Sequence, residues 1–206
     1  MDSLARLASG DRTLLQIVDA ALAEAARKSG AWLVCRPGCT ACCVGPFPIT
    51  QLDAFRLRAG LAELETRDPE RAARVRERAL EAVARLAPGF PGDVSTGVLE
   101  ENEEAEERFA TFAEDEPCPA LDPATGACDL YSARPVTCRF FGPAVRAGGE
   151  ALGVCELCYQ GASDAEIAAC AVEPDPDGLE DALLDELEET TARRGQTLVA
   201  FALVRP

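Results

Sequence analysis

Apolar residues at Leu4, Leu7, Leu14, Leu15, Val18, Leu22 and Ala25 recur at the spacing of one helical face and predict an amphipathic helix from Leu4 to about Arg27, closed by Gly30. The next apolar stretch, Ala31-Trp32-Leu33-Val34, is too short for that period and reads as a brief strand or a buried turn. Gly45-Pro46-Phe47-Pro48-Ile49 excludes regular helix, and Thr50 with Asp53 three positions on is an N-cap signal. The helix that follows runs to about Leu64 and buries Leu52, Phe55, Leu57 and Leu61 at least in part. Asp68-Pro69 joins a cap to a proline at the first helical position. Val75, Ala79, Ala82, Val83 and Leu86 then mark a buried face, and Arg71, Arg74, Arg76, Glu77, Arg78 and Glu81 a wet one, until Pro88-Gly89-Phe90-Pro91-Gly92 stops the helix.

Further on the period fades. The run from Glu100 to Glu107 reads as a solvated helix face or loop, with a cation-binding acidic segment as the sharper alternative. Residues 117–146 are rich in proline and glycine and predict irregular chain with one helical turn after Pro135. Asp164 is placed to cap a short helix through Ala171. After a hinge at Pro174-Asp175-Pro176-Asp177-Gly178, Leu179, Ala182, Leu183, Leu187 and Thr190 predict a helix ending near Gly195, and Leu198 to Val204 fits helix or strand equally. No internal repeat is expected beyond two x9 cysteine intervals. The fold class is mostly α: amphipathic helices around an irregular cysteine-rich core at about 32–160, with flanking helices 2–29 and 177–195, in a single domain 1–206.

Composition changes this picture at one residue type. A chain of 206 residues can bury a core without staples, so ten cysteines call for another explanation. The start, Met1-Asp2-Ser3-Leu4-Ala5-Arg6, lacks a basic segment followed by an apolar run, and no stretch is long and apolar enough to span a membrane. A cytoplasmic protein is expected, where clustered thiols mean metal or redox chemistry. The net charge of −16 repels phosphate backbones and anionic membranes, which argues against nucleic-acid and membrane partners. The absence of histidine removes mixed cysteine-histidine zinc sites and histidine-based catalytic arrangements.

Four cysteines fall within nine residues, Cys35, Cys39, Cys42 and Cys43, with a turn expected at Pro37-Gly38 between the first two. Cys118, Cys128 and Cys138 follow at even intervals, and Cys155-x2-Cys158 adds a pair. Thiolate is a soft ligand, selecting zinc, copper(I) or iron–sulfur clusters over magnesium or calcium. Closing the long loop between the groups costs a few kcal/mol, whereas thiolate ligation can return on the order of 10 kcal/mol. Side chains of the adjacent Cys42 and Cys43 diverge in helix or strand, which favours a multi-corner cluster or two metals over one small ion. Arg36, Arg134 and Arg139 are candidate counter-charges, with solvated packing an equal alternative, and Cys170 on a short helix reads as a small buried hydrophobe. Cys35-x3-Cys39-x2-Cys42 also has the spacing of radical S-adenosylmethionine enzymes, but the strand–helix alternation of their barrel is missing.

Together Cys35-x3-Cys39-x2-Cys42-Cys43 and the segments Pro117-Cys118-Pro119-Ala120-Leu121, Gly126-Ala127-Cys128-Asp129-Leu130-Tyr131 and Arg134-Pro135-Val136-Thr137-Cys138-Arg139-Phe140-Phe141 resemble the YkgJ-type cysteine-cluster family of zinc- or iron-chelating domains. The resemblance spans roughly residues 32 to 160. It implies a cytosolic bacterial metal-binding protein with ligands at Cys35, Cys39, Cys42, Cys43, Cys118, Cys128 and Cys138, and Cys155 resembles a further cysteine of some members. Cys158 enters the candidate ligand set through its x2 spacing from Cys155. Related motifs occur in a flagellin lysine-N-methylase.

The expected function is therefore metal binding through thiolates, an iron–sulfur cluster, of the [4Fe-4S] type, being the first expectation and zinc the alternative or additional ion. An iron–sulfur-dependent redox or methyl-transfer enzyme is a second class; with no histidine its acid–base groups would come from Asp122, Asp129, Tyr131 or Glu156. A thiol redox sensor is a third.

Overall fold

The computed structural model describes residues 3–36 and 38–205, so Met1, Asp2 and Pro206 and the Pro37 half of the expected turn lie outside the described residues. Helices dominate, as the apolar spacing dictates. The chain divides into two packing units, one within residues 1–37 and 136–190, the other within 38–135 and 191–206.

The first unit is built on α1, Ser3–Ser29, whose stripe of Leu7, Leu14, Val18, Leu22 and Ala25 is buried while Leu4 and Ile17 remain exposed. Gly30, at φ +52, turns the chain into a 3-10 turn over Gly30–Trp32, so the short apolar lead-in is a turn rather than a strand. α1 packs against α5, Val136–Phe140, and α6, Asp164–Cys170. Ser163 rather than Asp164 caps α6, in a reciprocal capping box with Glu166. Helix α7, Leu179–Thr191, ends before Gly195 and lays Leu183 on Gly10, where a Cβ would stand 2.5 Å from Leu183 Cδ2.

The second unit stacks α2, Gln51–Arg67, α3, Pro69–Leu86, and α8, Val199–Val204. Thr50 and Asp68 cap α2 and α3 by accepting the Asp53 and Arg71 amides at 3.1 and 3.0 Å. Ile49, Leu57, Leu61, Leu64, Val75, Ala79 and Leu203 form the main core. Helix α8 settles the ambiguous apolar run: Val199 to Leu203 are all buried, and only a short helix surrounded by neighbours tolerates apolar side chains on every side. The acidic run becomes α4, Glu103–Phe109, capped by Asn102, with Ala105 buried and its glutamates in solvent.

Two short hairpins replace chain expected to be irregular or a simple helix stop. β1, Gly92–Asp93, pairs with β2, Val98–Leu99, and β3, Leu121–Asp122, pairs with β4, Ala127–Cys128. Both turns read Asp-x-x-Thr-Gly and make the same bonds. Asp93 and Asp122 accept the amides two residues on at 2.8 and 3.0 Å, Thr96 and Thr125 donate to the same carboxylates at 3.0 and 2.7 Å, and Gly97 and Gly126 return amides to the aspartate carbonyls at 2.7 and 2.9 Å. The glycines sit at φ +74 and +68. This is an internal repeat that the apolar pattern did not reveal. A third hairpin joins β5, Arg146–Ala147, to β6, Glu150–Ala151, in the first unit.

Candidate metal centre

In the second unit four sulphurs are gathered by backbone pairing. A 3-10 turn over Ala41–Cys43, closed by the Cys43 amide on the Thr40 carbonyl at 2.8 Å, carries Cys42 and Cys43. The Cys118 amide bonds to the Cys43 carbonyl at 2.8 Å and the Gly45 amide to the Glu116 carbonyl at 2.9 Å, which lays Cys118 beside that turn. The β3–β4 register sets Cys128 opposite Leu121, three residues after Cys118. The thiols of Cys42, Cys43, Cys118 and Cys128 consequently act on one another electrostatically, with Cys42 at the hub.

Within this group the expectation that Cys42 and Cys43 diverge is corrected. Their thiols are hydrogen-bonded to each other within the 3-10 turn Ala41–Cys43. That bond, followed by burial, raises the Cys42 thiol far above its ordinary value. Burial pushes Cys118 up to about 12, opposed by the amides of Ala120 and Leu121, which donate to its sulphur. Burial also raises Cys128, opposed by the Leu130 amide. Arg134, its guanidinium 3.9 Å above the Tyr131 ring, favours the thiolate at Cys42 and Cys128.

Amide N–H groups aimed at sulphur are donors that a thiolate accepts well, and gathered buried thiols ionise only when a cation compensates them. The donor set therefore fits a soft, thiophilic metal. Among the described residues no group of three or more cysteine, aspartate or glutamate side chains forms a ready cage.

Helix α3 clamps this segment with arginines seven residues apart. Arg71 Nε and Arg78 Nη2 both donate to the buried Asp129, the latter at 2.5 Å, while Arg78 Nε holds the Pro119 carbonyl at 2.9 Å and Arg85 reaches Glu116 at 2.8 Å. One helix thus fixes the neighbours of both Cys118 and Cys128. Arg71 and Arg78 belong to the face expected to be wet, a correction that the heptad spacing of three arginines could have signalled. On α2, Gly60 lets Ala133 approach so closely that a Cβ there would lie 2.3 Å from the alanine Cβ, which seats the chain leaving Cys128. Cys39 is half-buried on the loop that the β3–β4 turn approaches, where a Cβ on Gly126 would stand 3.7 Å from Thr40 Cγ2.

The first unit holds the other five cysteines. Cys35 is exposed and lies against Gly142, where a Cβ would meet its Sγ at 2.7 Å. Cys138 is half-buried on α5. Cys158 and Cys170 are buried in an apolar cluster with Ala144, Tyr159 and Ala171, and Cys155 packs on its edge. Tyr159 pins this loop: its hydroxyl accepts the Ala144 amide at 2.9 Å and bonds Ser29 at 2.5 Å. Cys170 fills apolar space as expected, and Cys158 stands in the same surroundings. None of the ten cysteines is joined in a disulfide.

The other candidates have local duties. Arg139 pairs with Asp19 of α1 at 2.6 Å, Arg36 is exposed, and Asp122 caps its own turn. Asp129 is taken by two arginines, and Tyr131 and Glu156 are exposed. No helix among the described residues is long and apolar enough to cross a membrane.

No curated protein and no solved structure matches the chain. A family model, CxxCxxCC, described as a putative zinc- or iron-chelating domain, matches residues 34–159. That range takes in all four sulphurs of the gathered group and the hairpin that carries Cys128. With most of its length covered by this match, the chain belongs to the CxxCxxCC family of zinc- or iron-chelating domains.

Proposed function

We propose that this chain holds an iron–sulfur cluster, of the [4Fe-4S] type, through cysteine thiolates, with Cys42, Cys43, Cys118 and Cys128 as the principal ligands. The observation that carries the reading is the gathering of these four sulphurs with amide donors on three of them. Cys35, Cys39 and Cys138 complete the seven thiols of the motif, and Cys155 is the candidate for a further one. Seven exceed the four that one tetrahedral zinc takes, which favours a cluster or more than one ion.

Zinc is the second reading, and one observation favours it. Two thiolates on a tetrahedral zinc with Zn–S near 2.3 Å lie about 3.8 Å apart, and the hydrogen-bonded Cys42 and Cys43 already stand as close neighbours. An iron–sulfur cluster supplies one-electron chemistry when bound, whereas zinc supplies a structural tie. In either case the chain contributes the thiolates, the amides of Ala120, Leu121 and Leu130, and the positive charge of Arg134. The net charge of −16 supports a role away from nucleic acid and anionic membranes, both of which would repel the chain.

Protein purified without oxygen and assayed for iron, zinc, copper and acid-labile sulfide, with an absorption spectrum, tests both readings. Iron with matching sulfide and a brown chromophore supports the cluster. Stoichiometric zinc without sulfide overturns the cluster in favour of the second reading, and a folded, reduced protein free of all three metals overturns both.

A further inference from the structure

Away from the cysteines, the second unit has an open cavity of ≈ 630 Å³ between α2, the β1–β2 hairpin and the chain from residue 192 to 205. Its volume is that of small-molecule sites in general. Four arginines line it, Arg58, Arg193, Arg194 and Arg205, against two carboxylates, Asp93 and Glu100. In a chain with 36 acidic and 20 basic residues this local excess of positive charge runs against the composition.

The carboxylates do not neutralise it. Asp93 is committed to its own turn, bonded by Ser95 and Thr96, and Glu100 accepts from Asn102 at 3.3 Å. Among the described residues the Arg58 and Arg193 guanidiniums have no hydrogen-bond or ion-pair partner. The two are close enough that Arg193, together with the larger effect of burial, pushes Arg58 down to about 10, still fully charged at neutral pH. Arg205 is held in place by its bond to the Val94 carbonyl at 3.1 Å, and Val98 supplies an apolar wall. Two guanidiniums lining one cavity without a bonded counter-charge are unfavourable alone, but an oxyanion bridging them gains charge-assisted bonds from both.

We propose that this cavity is a binding site for a small organic anion bearing phosphate or carboxylate groups, contacted by Arg58 and Arg193 and flanked by Arg205. No cysteine lines it, so the site is independent of the metal reading. Calorimetric titration of the full chain, with its metal as purified, against inorganic phosphate and separately against succinate tests it. Saturable binding of at least one probe in the millimolar range or tighter is expected, weakened at least 10-fold by Arg58→Gln and by Arg193→Gln and unchanged by Arg74→Gln on exposed α3 surface. The probe that binds more tightly assigns the head group. Thermal unfolding supplies a second readout, because both pocket variants should lose the rise in Tm that the anion produces while keeping or exceeding the anion-free Tm. If Arg58→Gln fails to fold, Arg193→Gln carries the test. Absence of saturable binding to both probes, or undiminished binding in the folded variants, overturns the proposal.

Discussion

The cysteines of the two units sit in opposite surroundings. Cys42, Cys43, Cys118 and Cys128 face one another, backbone amides and Arg134, while Cys158 and Cys170 lie among Ala144, Tyr159 and Ala171. The contrast teaches that a thiol's part is decided by what its backbone turns toward it. A tight turn presents N–H groups that a thiolate accepts, whereas an apolar pocket offers only contact. In the same way, the hairpins 92–99 and 121–128 share one turn, but the first ends in Leu99, which enters the core, and the second in Cys128, which joins the sulphurs.

The largest break in this contrast should come from Cys118→Ser or Cys42→Ser. Each is expected to lower metal content at least 10-fold and, because structural metal returns on the order of 10 kcal/mol in small sites, to destabilise the second unit. Elemental analysis and hydrogen exchange measure this, and metal content equal to that of Cys170→Ser would show the ligand assignment to be wrong.

Next in size is a pH effect on the reduced, metal-free protein. Burial raises Cys118 from 9.0 to about 12, so the folded state holds that proton more tightly than the unfolded state. The stabilisation is complete below pH 9 and is lost as pH rises through about 12, at about 1.4 kcal/mol per pH unit for one group. Cys118→Ala should flatten that alkaline limb in denaturant titrations. With metal present the trend reverses, since protons compete with the ion and affinity falls as pH drops.

Asp129→Ala should cost about 1 to 3 kcal/mol, less than a fully buried pair because Arg71 is partly exposed. It should also weaken metal binding without altering any sulphur, by releasing the segment that Arg71 and Arg78 clamp. Unchanged metal affinity in a competition assay would confine the clamp to stability.

The smallest effect sharpens the contrast from the other side. Cys170→Ser and Cys158→Ser should each cost about 1 to 3 kcal/mol by burying a hydroxyl among apolar groups, with metal content intact. Loss of metal in Cys158→Ser alone would move that residue from packing to ligation.

Much of this was legible beforehand. The long helices follow from apolar spacing and from the Thr50 and Asp68 caps, which act within one turn of chain and need no tertiary partner. The hairpins were missed because their strands are two residues long, too short for any period, and their signal is the repeated Asp-x-x-Thr-Gly turn. The α3 clamp was missed because a helical arginine looks alike whether it faces water or a carboxylate 51 residues away.

By itself the sequence determined the helical class, the family motif and the softness of any metal the chain would hold, because these depend on local spacing and on side-chain chemistry. The tertiary structure decided which sulphurs meet. Side-by-side pairing of residues 43–45 with 116–118 and the register of a four-residue hairpin bring Cys118 and Cys128 to the Cys42-Cys43 turn, and such backbone bonds between distant segments leave no period in the chain.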